Sequence, residues 1–219
     1  MMHSKICIGI LAFCVLAGCS NGSVKDIDGN TYKTVKIGRQ TWFAEDLKVT
    51  RLNDGTPIPH VKREDAWINR KDPAYCWYNN DSLNSGEYGA LYNGYAVGTG
   101  KLCPKGWHVS TEEDWWILGT SLGSELLAGD RLKEAGTNHW KGTNAMATGE
   151  TGFNALPGGF RSYNGSYTYI GKSGYWWTST TPDQTRSQFF NIRYKTGELF
   201  ELLGEQSNGF CVRCVMDEP

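Results

Sequence analysis

The sequence predicts an α+β domain built from short elements and long connections. Three observations carry this: a helix-start signature at residues 110–116, a second half rich in Gly, Asn, Thr, Tyr and Trp with turn pairs such as Asn164-Gly165 and Thr196-Gly197, and four cysteines beyond an N-terminal leader. Helical signals come early and strand and turn signals late, which separates α+β chains from alternating α/β ones. Two short helices, small twisted antiparallel sheets, long loops and disulfide staples are the expected parts. The 22 basic and 23 acidic side chains are scattered without a basic stripe. That pattern argues against nucleic acid as a partner.

In chain order, the first element is a leader. Residues 1–18 carry Lys5, an apolar run over residues 6–17 and Gly18, and no acid precedes Asp26. The run is shorter than the roughly 20 residues of a spanning helix and is followed at once by small residues, so it reads as a signal peptide. Leu16-Ala17-Gly18-Cys19 resembles the lipobox of bacterial lipoproteins. That resemblance implies a lipidated Cys19 as the mature first residue, with a membrane as partner through its acyl chains. Two or three chains, at about 0.8 kcal/mol per buried methylene, hold durably where one does not. The expected location is the cell envelope, and Ser20 after the cysteine points to the outer membrane. Residues 19–26 read as a lipidated tether and 27–217 as a single domain.

Residues 31–37 alternate, Gly38-Arg39 turns, and residues 40–43 return, which is a hairpin. Residues 53–72, with Pro57, Pro59 and many charges, read as loop with a helical turn near 64–68. A short strand is expected at 75–79; residues 88–96 fit strand or helix. Ser110 with Glu113 three residues on forms a capping box before Trp115-Trp116-Ile117-Leu118, and Glu112, Glu113 and Asp114 suit the positive helix end. This helix should run to about Leu122. A second covers 125–135, with Gly136 stopping it. Strands are expected at 167–170, 175–179, 188–194, 197–202 and 210–216. Nine tryptophans are read mainly as large fillers of an interior poor in regular structure.

Cys76, Cys103, Cys211 and Cys214 are an even set in an exported chain, and four cysteines allow three pairings. Cys211-Val-Arg-Cys214 has redox or zinc spacing. It lies in an apolar strand instead of opening a helix, and residues three apart on a strand face opposite sides. The two should therefore pair elsewhere. His3, His60, His108 and His139 form no ligand-spaced cluster, so neither metal nor other cofactor is expected.

Several segments together resemble the Fibrobacter succinogenes major paralogous domain, found in secreted lipoproteins of Bacteroidetes and Fibrobacter relatives. They include Ile37-Gly-Arg-Gln-Thr-Trp-Phe-Ala-Glu-Asp-Leu, Cys103-Pro-Lys-Gly-Trp-His-Val-Ser-Thr-Glu-Glu-Asp-Trp, Gly152-Phe-Asn-Ala-Leu-Pro-Gly-Gly-Phe-Arg, Gly174-Tyr-Trp-Trp-Thr-Ser-Thr and Val212-Arg-Cys-Val. The resemblance implies a C-type lectin-like fold, similar also to the formylglycine-generating enzyme. The lectin comparison implies a Cys103–Cys214 disulfide, leaving Cys76 with Cys211. It implies no particular activity.

No catalytic residue is expected, and the chain reads as a non-enzyme. Formylglycine-type chemistry needs two cysteines just upstream of the last strand, and residues 189–208 contain none. His108 beside Glu112 and Glu113, or His139 near Glu134, could form acid–base pairs but lack a nucleophile motif. Thr181-Pro-Asp183 lacks the paired ligands of calcium lectins, and Asp28-Gly-Asn30 and Asn79-Asn-Asp81 read as turns. The candidate ligand surface is Tyr163, Tyr167 and Tyr169 around the Asn164-Gly165 hairpin, where exposed rings would suit a glycan or surface protein. The expectation is a noncatalytic envelope lipoprotein displaying a binding module, the alternative being a structural envelope component without ligand.

Overall fold

The alternating run forms strand β2 (Thr31–Ile37), Gly38 turns the chain at φ 58°, and β3 (Gln40–Phe43) returns antiparallel. In this computed structural model residues 22–68, 70–142, 146–181 and 183–218 are described, so the leader and Cys19 lie outside the described residues. The hairpin belongs to a five-stranded sheet ordered β1 (Ser23–Lys25), β2, β3, β13 (Cys214–Met216), β6 (Trp107–Val109). Residues 23–25, read from sequence as tether, thus pair with β2. Asp26 fixes this start by accepting from the backbone of Asp28 and Asn30 and from the Tyr32 hydroxyl.

A second five-stranded sheet runs β4 (Tyr75–Cys76), β5 (Leu91–Asn93), β12 (Gly209–Phe210), β7 (Gly158–Arg161), β8 (Tyr167–Ile170). The third is β11 (Leu199–Glu205), β10 (Arg186–Arg193), β9 (Ser173–Trp177). The strand expected at 210–216 is therefore two strands in two different sheets. Arg213 breaks it: its guanidinium turns inward to bond Asp46 and the carbonyls of Phe43 and Phe153, while the Val212 carbonyl accepts from Leu47. The strand expected at 75–79 also shortens, because Asn79 and Asn80 take positive φ (53° and 56°) and form a 3-10 turn. Residues 88–96 divide among the end of one short helix, β5 and the start of another.

Five α-helices occur among the described residues. Three are single turns, α1 (Glu64–Trp67), α2 (Asn84–Tyr88) and α3 (Gly94–Val97); the two expected ones are α4 (Glu112–Ser121) and α5 (Glu125–Leu132). The capping box of α4 is Thr111 with Asp114, one residue later than Ser110 with Glu113. Ser110 is committed elsewhere: its N–H continues the ladder to Arg213 O and its hydroxyl accepts from Trp115 Nε1 at 2.9 Å. Helix α5 stops before the expected 135 because Leu132 O and Glu134 N bond the backbone of Ala155. A tertiary strand-like contact thereby replaces the last helical turn.

Trp42, Trp67, Trp115, Trp140, Trp176 and Trp177 are fully buried. Each indole N–H has an acceptor: Gln40 Oε1, Ser207 O, Ser110 Oγ, Ala155 O, Asp46 Oδ1 and Tyr92 O respectively. Burying large rings without orphaned donors is what allows so loop-rich a chain an ordered interior.

Cys103 is bonded to Cys214 across a sequence separation of 111, tying the approach to β6 to β13. Cys76 and Cys211 are not paired as expected; both are free and buried. Cys76 lies on β4 opposite Leu91 of β5, while Cys211 directly follows β12 on the far side of β5 and forms a β-bridge with Trp176. Two strand spacings put them roughly 9–10 Å apart. A bridge tolerates about 7 Å between Cα atoms.

Candidate functional site

The three tyrosines expected to share one surface do not. Tyr167 faces inward: its hydroxyl donates to Asn80 Oδ1 at 2.9 Å, its ring packs on Tyr78, and the Arg161 guanidinium lies 5.0 Å from its centroid. Tyr163 is exposed in the turn after β7, held through its backbone N–H by Asn208 Oδ1, beside a groove with Arg70 and Tyr95. Tyr169, 50% exposed, lines a different cleft. The cause is local. Tyr169 takes φ 64° opposite Gly159, itself at φ 64°, where a Cβ would stand 2.4 Å from Thr168 O. Left-handed backbone at both positions interrupts the two-residue alternation that would have put Tyr167 and Tyr169 on one face.

The Tyr169 cleft, about 600 Å³, lies where the β8–β9 turn meets the β10–β11 turn. Tyr175, Ser173 and Arg193 fall on one sheet face, since Tyr175 pairs with Asn191 and Ser173 with Arg193. Tyr169 stacks on Phe160 and approaches Tyr175 at 6.3 Å between centroids. Lys172 and the segment Tyr194-Lys195-Thr196 complete the lining, which contains no carboxylate. The two turns are fastened by Tyr194 N–H to Lys172 O at 2.9 Å, and Lys172 N–H bonds Tyr169 O. Burial pushes the Tyr175 hydroxyl above its ordinary pKa, so it stays a neutral donor. Rings on one side and cations on the other are suited to holding a polar ligand.

Two histidines are drawn into carboxylate clusters. His108 is bracketed by Asp114 Oδ2 at 3.0 Å and Asp217 Oδ1 at 2.7 Å. The bond to Asp114, against burial, raises its pKa. Burial pulls the Asp114 carboxyl up, but the bonds from His108 and Thr111 outweigh it and hold it below its ordinary value. With Gln40 on its other oxygen, Asp114 is consumed in fastening α4 to the first sheet. His139 bonds Glu134, as its sequence proximity suggested, and also Glu87 at 2.6 Å. Neither cluster, and no other group of three or more His, Cys, Asp or Glu among the described residues, is arranged to hold a metal ion. The oxygen-rich turn at Asp28 is filled by the Thr50 hydroxyl and Arg51.

A family model described as the Fibrobacter succinogenes major domain matches residues 35–216. The chain belongs to this family. No curated protein and no solved structure matches it. The Fibrobacter succinogenes major domain here includes all six fully buried tryptophans and the whole Tyr169 cleft, while β1 precedes the matched segment. Sequence reasoning reached Tyr169 and missed Tyr175, Tyr194, Arg193, Lys172 and Lys195. A usable signal was Arg193-Tyr-Lys-Thr-Gly, a basic and aromatic turn between two strands.

Proposed function

We propose that this chain is a noncatalytic envelope lipoprotein, anchored through Cys19, whose C-type lectin-like domain binds a glycan in the Tyr169 cleft. The observation that carries the binding is the cleft itself, where exposed Tyr169 and half-buried Tyr175 and Tyr194 meet Lys172, Arg193 and Lys195 on hydrogen-bonded turns. Flat rings with polar tips cover the apolar face of a pyranose, and fixed donors orient its hydroxyls. The lectin-like assignment is supported by the disulfide from the approach to α4 to the last strand and by the loop-rich α+β build. The anchor is supported by the leader and lipobox pattern of residues 1–19.

The test pairs two readouts on the full-length chain. On a glycan array, Tyr169→Ala is expected to lower binding about tenfold, the loss of roughly 1.4 kcal/mol of ring contact, while Tyr167→Phe binds as the wild type. In cells fed a fatty-acid probe, the wild type takes up label and Cys19→Ala does not. Silence of the wild type on the array sinks the binding reading, and label on Cys19→Ala sinks the anchor.

A further inference from the structure

Arg193 is held in a way that the fold itself does not use. Its Nε donates to Asn191 Oδ1 at 2.6 Å, and Asn191, fully buried, is itself fixed by donating to Gly174 O at 2.8 Å. The guanidinium carbon lies 4.0 Å from the Phe200 ring centroid, so one face of the plane is covered. Asn191 pairs with Phe200 on β11 and with Tyr175 on β9, which places the clamp on the face that lines the cleft. Nε and one face are thus committed, while the two terminal amino groups have no acceptor among the described residues. A guanidinium fixed in this way has given up its rotamer freedom before a ligand arrives. Its open end matches the two oxygens of a carboxylate or sulfate.

The surroundings favour the same charge. Lys172 and Lys195 stand on the two turns beside Arg193, and none of the three is in an ion pair among the described residues. Ser173, 5% exposed, lies opposite Arg193 across the β9–β10 pair. Three cations without a carboxylate partner would repel one another at rest, a cost that a bound anion relieves.

Resting on the reading of this cleft as a saccharide site, we propose that it selects an anionic saccharide, a uronate or sulfated sugar, whose acidic group docks on the Arg193 fork while its ring lies on Tyr169. The experiment measures binding of the full-length chain in detergent micelles to polygalacturonate and its fully methyl-esterified form, and to dextran sulfate and dextran. At least one acidic polymer should bind roughly tenfold tighter than its neutral counterpart, with the difference shrinking as salt is raised. The paired arms tell carboxylate from sulfate. R193Q should bring the acidic polymer down to the neutral one with circular dichroism unchanged and a lower thermal midpoint, because Asn191 Oδ1 loses its donor; the fold is kept, so the loss of acid selectivity is read on folded protein. Equal affinity for acidic and neutral forms would overturn the charge selection and leave the saccharide reading standing. Acid-selective binding untouched by both R193Q and Tyr169→Ala would place the ligand elsewhere and overturn the proposal. Capture by anionic phospholipid vesicles with no polysaccharide bound would overturn both readings.

Discussion

Arg213 and Asp46 form an ion pair in which each side chain is 1% exposed. The desolvation of two such charges is offset because Arg213 also reaches three carbonyls, of Phe43, Phe153 and Asn154, and lies over the Phe153 ring, while Asp46 accepts from Trp176. Removing one partner leaves the other charged and buried. Asp46→Ala is therefore expected to destabilise the domain by about 3–5 kcal/mol, read as a lower urea midpoint. A midpoint within error of the wild type would mean that the pair is better solvated than its burial indicates. At the same scale, Cys76 and Cys211 are held as thiols by their places on either side of β5, and burial pushes both above the ordinary thiol range.

Helix α4 is fastened at its start by a pH-dependent cluster. The pKa of His108 is raised, so its contribution is complete below the ordinary histidine value, about 6.5, and is lost as pH rises through the raised one. The Asp114 carboxyl is lowered, so its contribution is complete above about 3.9 and is lost as pH falls through the lowered value. The cluster is strongest between these limits. His108→Gln should cost on the order of 1 kcal/mol or less at pH 5, because the histidine side chain is 38% exposed and screened. The difference from wild type should fade as pH rises through the raised value, and urea unfolding followed across that range measures it; an equal cost throughout would assign His108 a packing role alone. The α4 start was legible to within one residue because Ser110 and Thr111 are both competent caps. Only the strand partner of Ser110 decides between them. The hairpin of β2 and β3 was legible outright, since alternation and a glycine turn are local. Strand 210–216 was misread because an arginine inside an apolar run gives no local sign of the buried aspartate that draws it out of the ladder.

At the scale of the whole fold, the one disulfide and two sealed thiols among the described residues make a countable prediction. With the disulfide intact, an alkylating reagent should find none of the described cysteines in the folded state, Cys76 and Cys211 after denaturation, and Cys103 and Cys214 only after reduction. Mass mapping of the labelled sites checks it, and a Cys76–Cys211 peptide would contradict the strand spacing argued above. The α+β class, the tryptophan core and the family were all readable from the sequence. The cleft was not, because it is assembled from residues 169, 172–175 and 193–196, and its key step is a left-handed backbone at Tyr169 that no residue type announces. A tyrosine gives little reason to expect positive φ.

The division of the last strands between two sheets has a consequence in time. β13 lies between β3 and β6, and β12 lies between β5 and β7, so both five-stranded sheets are missing a central member until residue 216 has emerged. The three-stranded sheet of β9, β10 and β11 can close without them, but neither five-stranded sheet can, and the bond from Cys103 waits for the same segment. The same few residues therefore complete both five-stranded sheets and supply the partner of Cys103.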